Sequence, residues 1–141
     1  MSGFLLDTNV ISEVIRPNPN PSVLAWVRQI DESLLFLSVL TLGEIRKGIS
    51  LLPSNARRSF LEAWIESDLL TRFADRILGI DLGIAQRWGS ISASSRSHGL
   101  QLPVIDGLLA ATAMHHNLTL VSRDEIFSSI RGLDSVNPWQ G

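Results

Sequence analysis

Four carboxylates occupy positions from which they could share one reaction. Asp7 lies in Leu5-Leu6-Asp7-Thr8-Asn9-Val10 and Glu44 in Leu40-Thr41-Leu42-Gly43-Glu44-Ile45-Arg46. Asp106 lies in Pro103-Val104-Ile105-Asp106-Gly107-Leu108, and Asp124 in Leu120-Val121-Ser122-Arg123-Asp124. Carboxylates brought together repel, and clustering them without a cation raises some of their pKa values. A divalent ion removes that conflict. The chain has no cysteine and three histidines, two of them adjacent at His115 and His116. The donors on offer are therefore oxygens, which suit Mg²⁺ or Mn²⁺. Such an ion keeps several waters, bridges to phosphate oxygens and makes a coordinated water more acidic. Phosphodiester hydrolysis is the reaction that best matches this equipment.

The elements that must carry these acids follow from the apolar pattern. Continuous apolar runs at Phe4–Leu6, Leu34–Val39, Ile77–Ile80 and Leu118–Val121 read as buried strands, with a weaker fifth at Ser135–Asn137. Between them, Val23, Leu24, Trp26, Val27 and Ile30 make one helical stripe, and Leu42, Ile45, Ile49 and Leu52 make another. Helical spacing continues over 54–72, 84–91 and 105–114, and Asn117 suits a helix C-terminus. Strands alternating with helices predict an α/β fold, a single domain over 1–141 with a central, mainly parallel five-stranded sheet flanked by helices. Ligands of such sheets sit beyond the carboxyl ends of the strands, where the chain order reverses. All four acids follow a strand or open a helix, and those positions share that edge.

Each acid also has a purely local use. Asp7 and Asn9 can cap a helix beginning at Val10. Thr41 and Glu44 fit a capping box with Leu40 and Ile45 as its staple, although Ser38 is a rival cap. Asp106 suits any first turn after Pro103, and Asp124 can cap a short helix through Phe127. Only the common edge lifts the quartet above helix punctuation.

Composition narrows the classes further. The length of 141 residues, 45% of them hydrophobic and 18% charged, describes one globular domain without disorder. The absence of cysteine excludes disulfides, thiolate zinc sites, iron–sulfur clusters and cysteine nucleophiles. A net charge of −2 gives no global basic field toward nucleic acid or membrane. The first residues lack a basic targeting region, and the longest apolar stretch, Leu34 to Leu42, is too short to span a bilayer. A cytoplasmic protein with no membrane partner is expected. Pro17, Pro19 and Pro21 mark a loop rather than a domain linker.

Taken together, the motifs resemble a known family. Leu5-Leu6-Asp7-Thr8-Asn9-Val10-Ile11-Ser12 and Ser38-Val39-Leu40-Thr41-Leu42-Gly43-Glu44-Ile45-Arg46-Lys47-Gly48 resemble the opening of PIN-domain ribonucleases. Asp106-Gly107-Leu108-Leu109-Ala110-Ala111-Thr112-Ala113 and Leu120-Val121-Ser122-Arg123-Asp124-Glu125-Ile126-Phe127 resemble that family's third and fourth acidic motifs. The ending Val136-Asn137-Pro138-Trp139 is similar to that of the VapC and FitB-like toxin branch. The resemblance implies a PIN-like domain and Mg²⁺- or Mn²⁺-dependent endonucleolytic cleavage of RNA by the toxin of a toxin–antitoxin pair. It implies that Asp7, Glu44, Asp106 and Asp124 form the catalytic metal site, that Thr8 adds a hydroxyl and that Asn9 orients the turn. A homodimer, a higher toxin–antitoxin assembly and a small cognate antitoxin entering the active-site groove are further implications. Many relatives carry Asn where Asp124 stands, with an acid just downstream, so Glu125 competes for the fourth place. Ser122 stands where Thr is common.

Binding of RNA is compatible with the charge balance. Setting the four acids aside leaves ten of the 14 acidic side chains against 12 basic ones, of which only Lys47 is a lysine. Arg46, Lys47 and Arg123 lie beside motif acids and are the candidate phosphate contacts. Alternatively, Lys47 pairs with Glu44 at i+3, and Arg57, Arg58 and Arg72 solvate a helix face. All four tryptophans could stack on bases, but the helical spacing of Trp26, Trp64 and Trp88 places those three in the core or an interface. His115 and His116 read as surface or interface residues, and His98 beside Gly99 as a helix end. A dehalogenase-like phosphatase would need Asp where Asn9 stands, and a receiver domain would need a lysine after its last strand. The rival that remains is a catalytically degenerate PIN-like scaffold, against which the presence of all four acids speaks.

Overall fold

Two-residue alternation decides how the chain layers. In the computed structural model, which describes residues 3–140, strand β1 (Phe4–Leu6) sends Leu5 to one face of the sheet and Leu6 to the other. Strand β4 (Thr119–Val121) does the same with Leu120 and Val121. Both faces are therefore buried, as the continuous apolar runs require. Leu6, Leu35, Leu37 and Val121 meet one helical layer, and Leu5 and Leu120 meet the other.

The first layer holds α1 (Thr8–Val14) and α2 (Pro21–Gln29), which follow β1. It also holds α3 (Val39–Ser50), α4 (Ala56–Trp64) and α5 (Leu70–Arg72), which follow β2 (Leu35–Ser38). The second is built by α6 (Leu82–Ser97) and α7 (Val104–His115), between β3 (Ile77–Leu78) and β4. With β5 (Ser135–Val136) the sheet runs β3-β2-β1-β4-β5, and every pairing is parallel. The chain steps outward from β1 through β2 to β3, then returns to lay β4 on the other side of β1. Thus β1 and β4 bracket the point where the order reverses, the expected place for a ligand.

The local boundaries show which competing signals win. α1 begins at Thr8, two residues before the expected start, because an Asp7 carboxylate oxygen accepts the Thr8 N–H at 2.7 Å. β2 is shorter than the run 34–39 at both ends. A 3₁₀ turn over Glu32–Leu34, capped by Asp31, precedes it, and the Ser38 hydroxyl accepts the Leu40 N–H at 3.0 Å and makes Val39 helical. Ser38, not Thr41, is thus the cap of α3. β4 starts at Thr119 because Asn117, at φ 55°, lets the Leu118 N–H close α7 on Ala113 O at 2.8 Å. β5 stops at Val136 because Asn137 turns the chain, its side-chain oxygen accepting the Trp139 N–H at 2.9 Å. β3 ends at Leu78, ahead of the expected Ile80, and Asp81 then caps α6.

The segment 54–72 is not one regular helix. A wide π turn over Ile65–Leu69 separates α4 from α5. Leu61, Ile65 and Leu69 are all buried at a steady four-residue spacing. That spacing drifts around a 3.6-residue helix, and the wide turn returns Leu69 to the core. Among the described residues, no helix is long and apolar enough to cross a membrane.

Thr41, having lost the cap to Ser38, is fully buried inside α3, and its hydroxyl has no hydrogen-bond partner among the described residues. Burying an unpaired hydroxyl is unfavourable. Replacing it with the isosteric methyl of Thr41→Val should raise stability by about 1 kcal/mol. Urea unfolding would show this as a higher midpoint with an unchanged slope.

Candidate active site

The carboxyl end of β1 is tied to that of β4 by a ring of short polar groups. The Asp7 N–H donates to Val121 O at 2.9 Å, which continues the β1–β4 ladder by one step. The buried Asp7 side chain then accepts three bonds: from Thr8 N–H, from the Ser122 hydroxyl at 2.7 Å and from Asn9 Nδ2 at 3.4 Å. Asn9 Nδ2 also donates to Ser122 Oγ at 3.1 Å, and Asn9 Oδ1 accepts the Arg123 N–H at 3.4 Å. Ser122 Oγ in turn accepts the Asp124 N–H at 3.0 Å. The turn after β4 therefore cannot move without disturbing the Asp7 carboxylate.

The other acids arrive from three directions. Glu44 lies in the second turn of α3, deeper than the expected helix start because Ser38 begins the helix at Val39, and is held by the Thr8 hydroxyl, which donates to its Oε1 at 2.7 Å. Asp106, half-buried in the first turn of α7, makes no side-chain hydrogen bond among the described residues. Its place is set by its neighbour Gly107, where a Cβ would stand 2.9 Å from Trp88 Cδ1 on α6. Close contact of α6 with α7 thus requires glycine at 107, a constraint that the sequence spacing does not announce. Asp124 is exposed and caps the 3₁₀ turn Glu125–Ser129 through the Ile126 N–H. Glu125, its rival for the fourth place, is exposed on that turn.

The four acids sense one another. Burial pushes the Asp7 carboxyl above its ordinary pKa, the bonds from Ser122 and Thr8 oppose this, and the charges of Glu44 and Asp124 add to the rise. Asp106 is pushed up to about 6, first by burial and then by the charges of Asp124, Asp7 and Glu44. Among the described residues no basic side chain forms an ion pair with any of the four. Repulsion that no basic side chain among the described residues offsets is what a hard divalent cation would relieve. The donors fit such an ion in charge and chemistry. As the side chains stand, they share an edge without enclosing a common point: among the described residues no three His, Cys or acidic groups are close enough to hold one ion together.

The basic candidates separate. Arg46 is turned away to Glu66, at 2.6 Å, and is not free at the edge. Glu44 is bonded to Thr8 rather than to Lys47, which stays exposed. Arg123 is exposed with its guanidinium over the Trp139 ring, 5.2 Å from the centroid. Arg58 and Arg72 do more than solvate a face, since they pair with Glu62 and Glu32. Trp26 meets Phe4 edge-on at 5.1 Å, and Trp64 packs on the same core. Ser122 and Trp139 join Gly107 as residues whose positioning roles exceed the sequence reading. A small hydroxyl residue just before the fourth motif was the available signal for the first.

A PIN domain family model matches residues 4–133. The chain belongs to the PIN domain family. This PIN domain is 38% identical to Toxin FitB of Neisseria gonorrhoeae over 96% of its length and 98% of that protein's. It is 35% identical to the VapC ribonuclease Y4jK of Sinorhizobium fredii, over 97% and 98% of the two chains. Among solved structures, FitAB bound to an IR36 DNA fragment superposes with a TM-score of 0.92 at 37% identity, over 96% of this chain and 95% of that one. DNA-bound VapBC from Salmonella typhimurium shares the fold, with a TM-score of 0.81 at 23% identity over 98% and 99% of the chains.

The raised pKa of Asp106 makes stability depend on pH with a definite sign. Its folded value, about 6, lies above the ordinary 3.8, so ionisation costs the folded state nothing below 3.8 and the full amount above 6. In chelator, Asp106→Asn should therefore melt at a higher temperature than the parent PIN domain at pH 8. That advantage should shrink through pH 6 and be lost by pH 3.5. Thermal melts across this range, with a gap that does not vary with pH, would refute the coupling.

Proposed function

We propose that this PIN domain is a metal-dependent endoribonuclease and the toxin member of a toxin–antitoxin pair, with Asp7, Glu44, Asp106 and Asp124 as its active site. The observation that carries the reading is the gathering of four acids at the β1–β4 switch point, where burial and then acidic neighbours push Asp7 and Asp106 upward, with no basic side chain ion-paired to the four among the described residues. When bound, Mg²⁺ or Mn²⁺ would neutralise charge at a scissile phosphate and render a water more acidic. The residues of the chain orient the donors. Thr8 N–H and Ser122 Oγ occupy one oxygen each of Asp7, directing its remaining lone pairs toward the edge. The Thr8 hydroxyl engages one oxygen of Glu44 and leaves the other available. Arg123, steadied by Trp139, and Lys47, which has no ion pair among the described residues, offer positive charge to flanking phosphates.

Similarity to the VapC ribonuclease Y4jK and to FitB, found in the FitAB complex, supports RNA as substrate and a small antitoxin as partner. A homodimer, assembling further with that antitoxin in the cytoplasm, completes the proposal.

Cleavage of total RNA by antitoxin-free protein, with 5′ ends mapped, is the direct test. Discrete cuts should appear with Mg²⁺ or Mn²⁺ and vanish with chelator. Asp7→Asn keeps an acceptor for Thr8 N–H and should lower the rate at least about a hundredfold. Absence of cation-dependent cuts from folded, uninhibited protein would instead point to a binding domain. Ser122→Ala removes a bond that orients Asp7 rather than a donor to the ion. Its rate should fall about ten- to a hundredfold, with part of the loss recovered at high Mn²⁺ and by Ser122→Thr.

A further inference from the structure

Beside the acids, beyond the ends of β4 and β5, lies a polar cavity of about 290 Å³ that shares Arg123 and Asp124 with the catalytic edge and is otherwise unused by it. Its wall includes Arg123, Asp124, Glu125, Ser128, Asn137 and Gln140. We propose that this cavity is a base-specificity subsite, receiving one unpaired nucleobase adjacent to the cut phosphodiester. The proposal rests on the ribonuclease reading and adds to it a substrate feature, an unstacked base in single-stranded RNA.

Two observations point to a base rather than a phosphate, and a third supplies a surface on which it can stack. Asp124 and Glu125 both line the wall, and with Asp124 given to the catalytic edge it is the Glu125 carboxylate that disfavours an anion and offers an acceptor to a neutral base edge with N–H groups. Asn137 uses its side-chain oxygen on the Trp139 N–H at 2.9 Å. Its amide Nδ2 has no partner among the described residues, so a donor of defined orientation is left for a base carbonyl or ring nitrogen. The positive group, Arg123, lies over Trp139 at 5.2 Å and carries no ion pair among the described residues. A guanidinium plane steadied by an aromatic ring can stack on an extruded base or hold the phosphate that follows it. The volume suits one base and leaves room for water. Donor, acceptor and stacking plane thus converge on one wall, the combination by which single-stranded RNA is read.

Asn137→Asp discriminates this from a structural role. It retains the oxygen that caps Trp139 and exchanges the free donor for an acceptor. Two measurements on the full chain decide together. Cleavage of an RNA pool randomised at every position should show one base enriched at a single position beside the cut. Asn137→Asp should change that preference at least about tenfold, in favour of a base presenting a donor. The four nucleoside monophosphates, titrated in chelator and followed by NMR, should shift the Arg123, Ser128 and Asn137 amides, one base more than the rest. The subsite is overturned if these amides respond to no base, or if parent and variant cut with the same base distribution. Base-selective shifts without cleavage in any metal would uphold the cavity and refute the ribonuclease reading instead.

Discussion

The carboxylate of Asp7 and the hydroxyl of Ser122 meet at 2.7 Å across the point where the sheet order reverses. The two residues are 115 positions apart in the chain. They are juxtaposed only because β4 returns to pair with β1 after the chain has built β2, β3 and the seven helices α1 to α7. Once paired, the ladder passes directly into the site: Asp7 N–H continues it to Val121 O. The polar ring through Asn9, Ser122 and Asp124 then extends the register of the sheet into side-chain positions. Register errors in a sheet invert whole faces, so two buried faces and one functional edge are specified by the same pairing.

This arrangement sets stability against chemistry in a defined place. Asp7 is buried yet bonded to Ser122 and Thr8, which offsets part of its desolvation. Asp106 receives no such help, and its carboxyl is the one displaced to about 6. The difference follows from the elements. Asp7 caps α1 and so faces free N–H groups. Asp106 lies inside the first turn of α7, where it is near the positive end of the helix but beyond reach of a capping bond. An acid left uncompensated in the folded chain retains its affinity for whatever cation reaches it.

Much of this was legible in the sequence because the relevant signals are local. β1 occurs over Phe4–Leu6 as the apolar run dictates, and Asp7, Asp106 and Asp124 lie at strand ends or a helix start because those boundaries are written in polar residues, whereas Glu44 falls in the second turn of α3. What could not be read depends on partners distant in the chain. Ser38 and Thr41 offer the same capping chemistry, and the choice between them is made where β2 stops pairing with β3, at Ser38↔Leu78. Arg46 looks like a phosphate ligand until α4 and the π turn bring Glu66 to it. The π turn itself arises from the need to keep Leu61, Ile65 and Leu69 against one core. Trp139 could be listed as an aromatic at the end of the chain, but nothing in the local pattern places it beneath Arg123.

The second core explains how α7 holds Asp106 at the edge that the other acids share. Leu109, Ala110, Ala111, Thr112 and Ala113 are all fully buried, so this helix is enclosed on nearly every side. Small residues allow close packing, and Gly107 against Trp88 extends that contact to the first turn. A helix so confined has little freedom to rotate or slide. Glu44, on the more exposed α3, instead depends on a hydrogen bond from Thr8. The two acids are positioned by different means, one by packing of its backbone and the other by a bond to its side chain. Loss of packing at Gly107 should therefore displace Asp106 together with its helix, whereas loss of the Thr8 hydroxyl frees only the end of one side chain. The edge that carries the chemistry is rigid where the core reaches it and adjustable where only hydroxyls do.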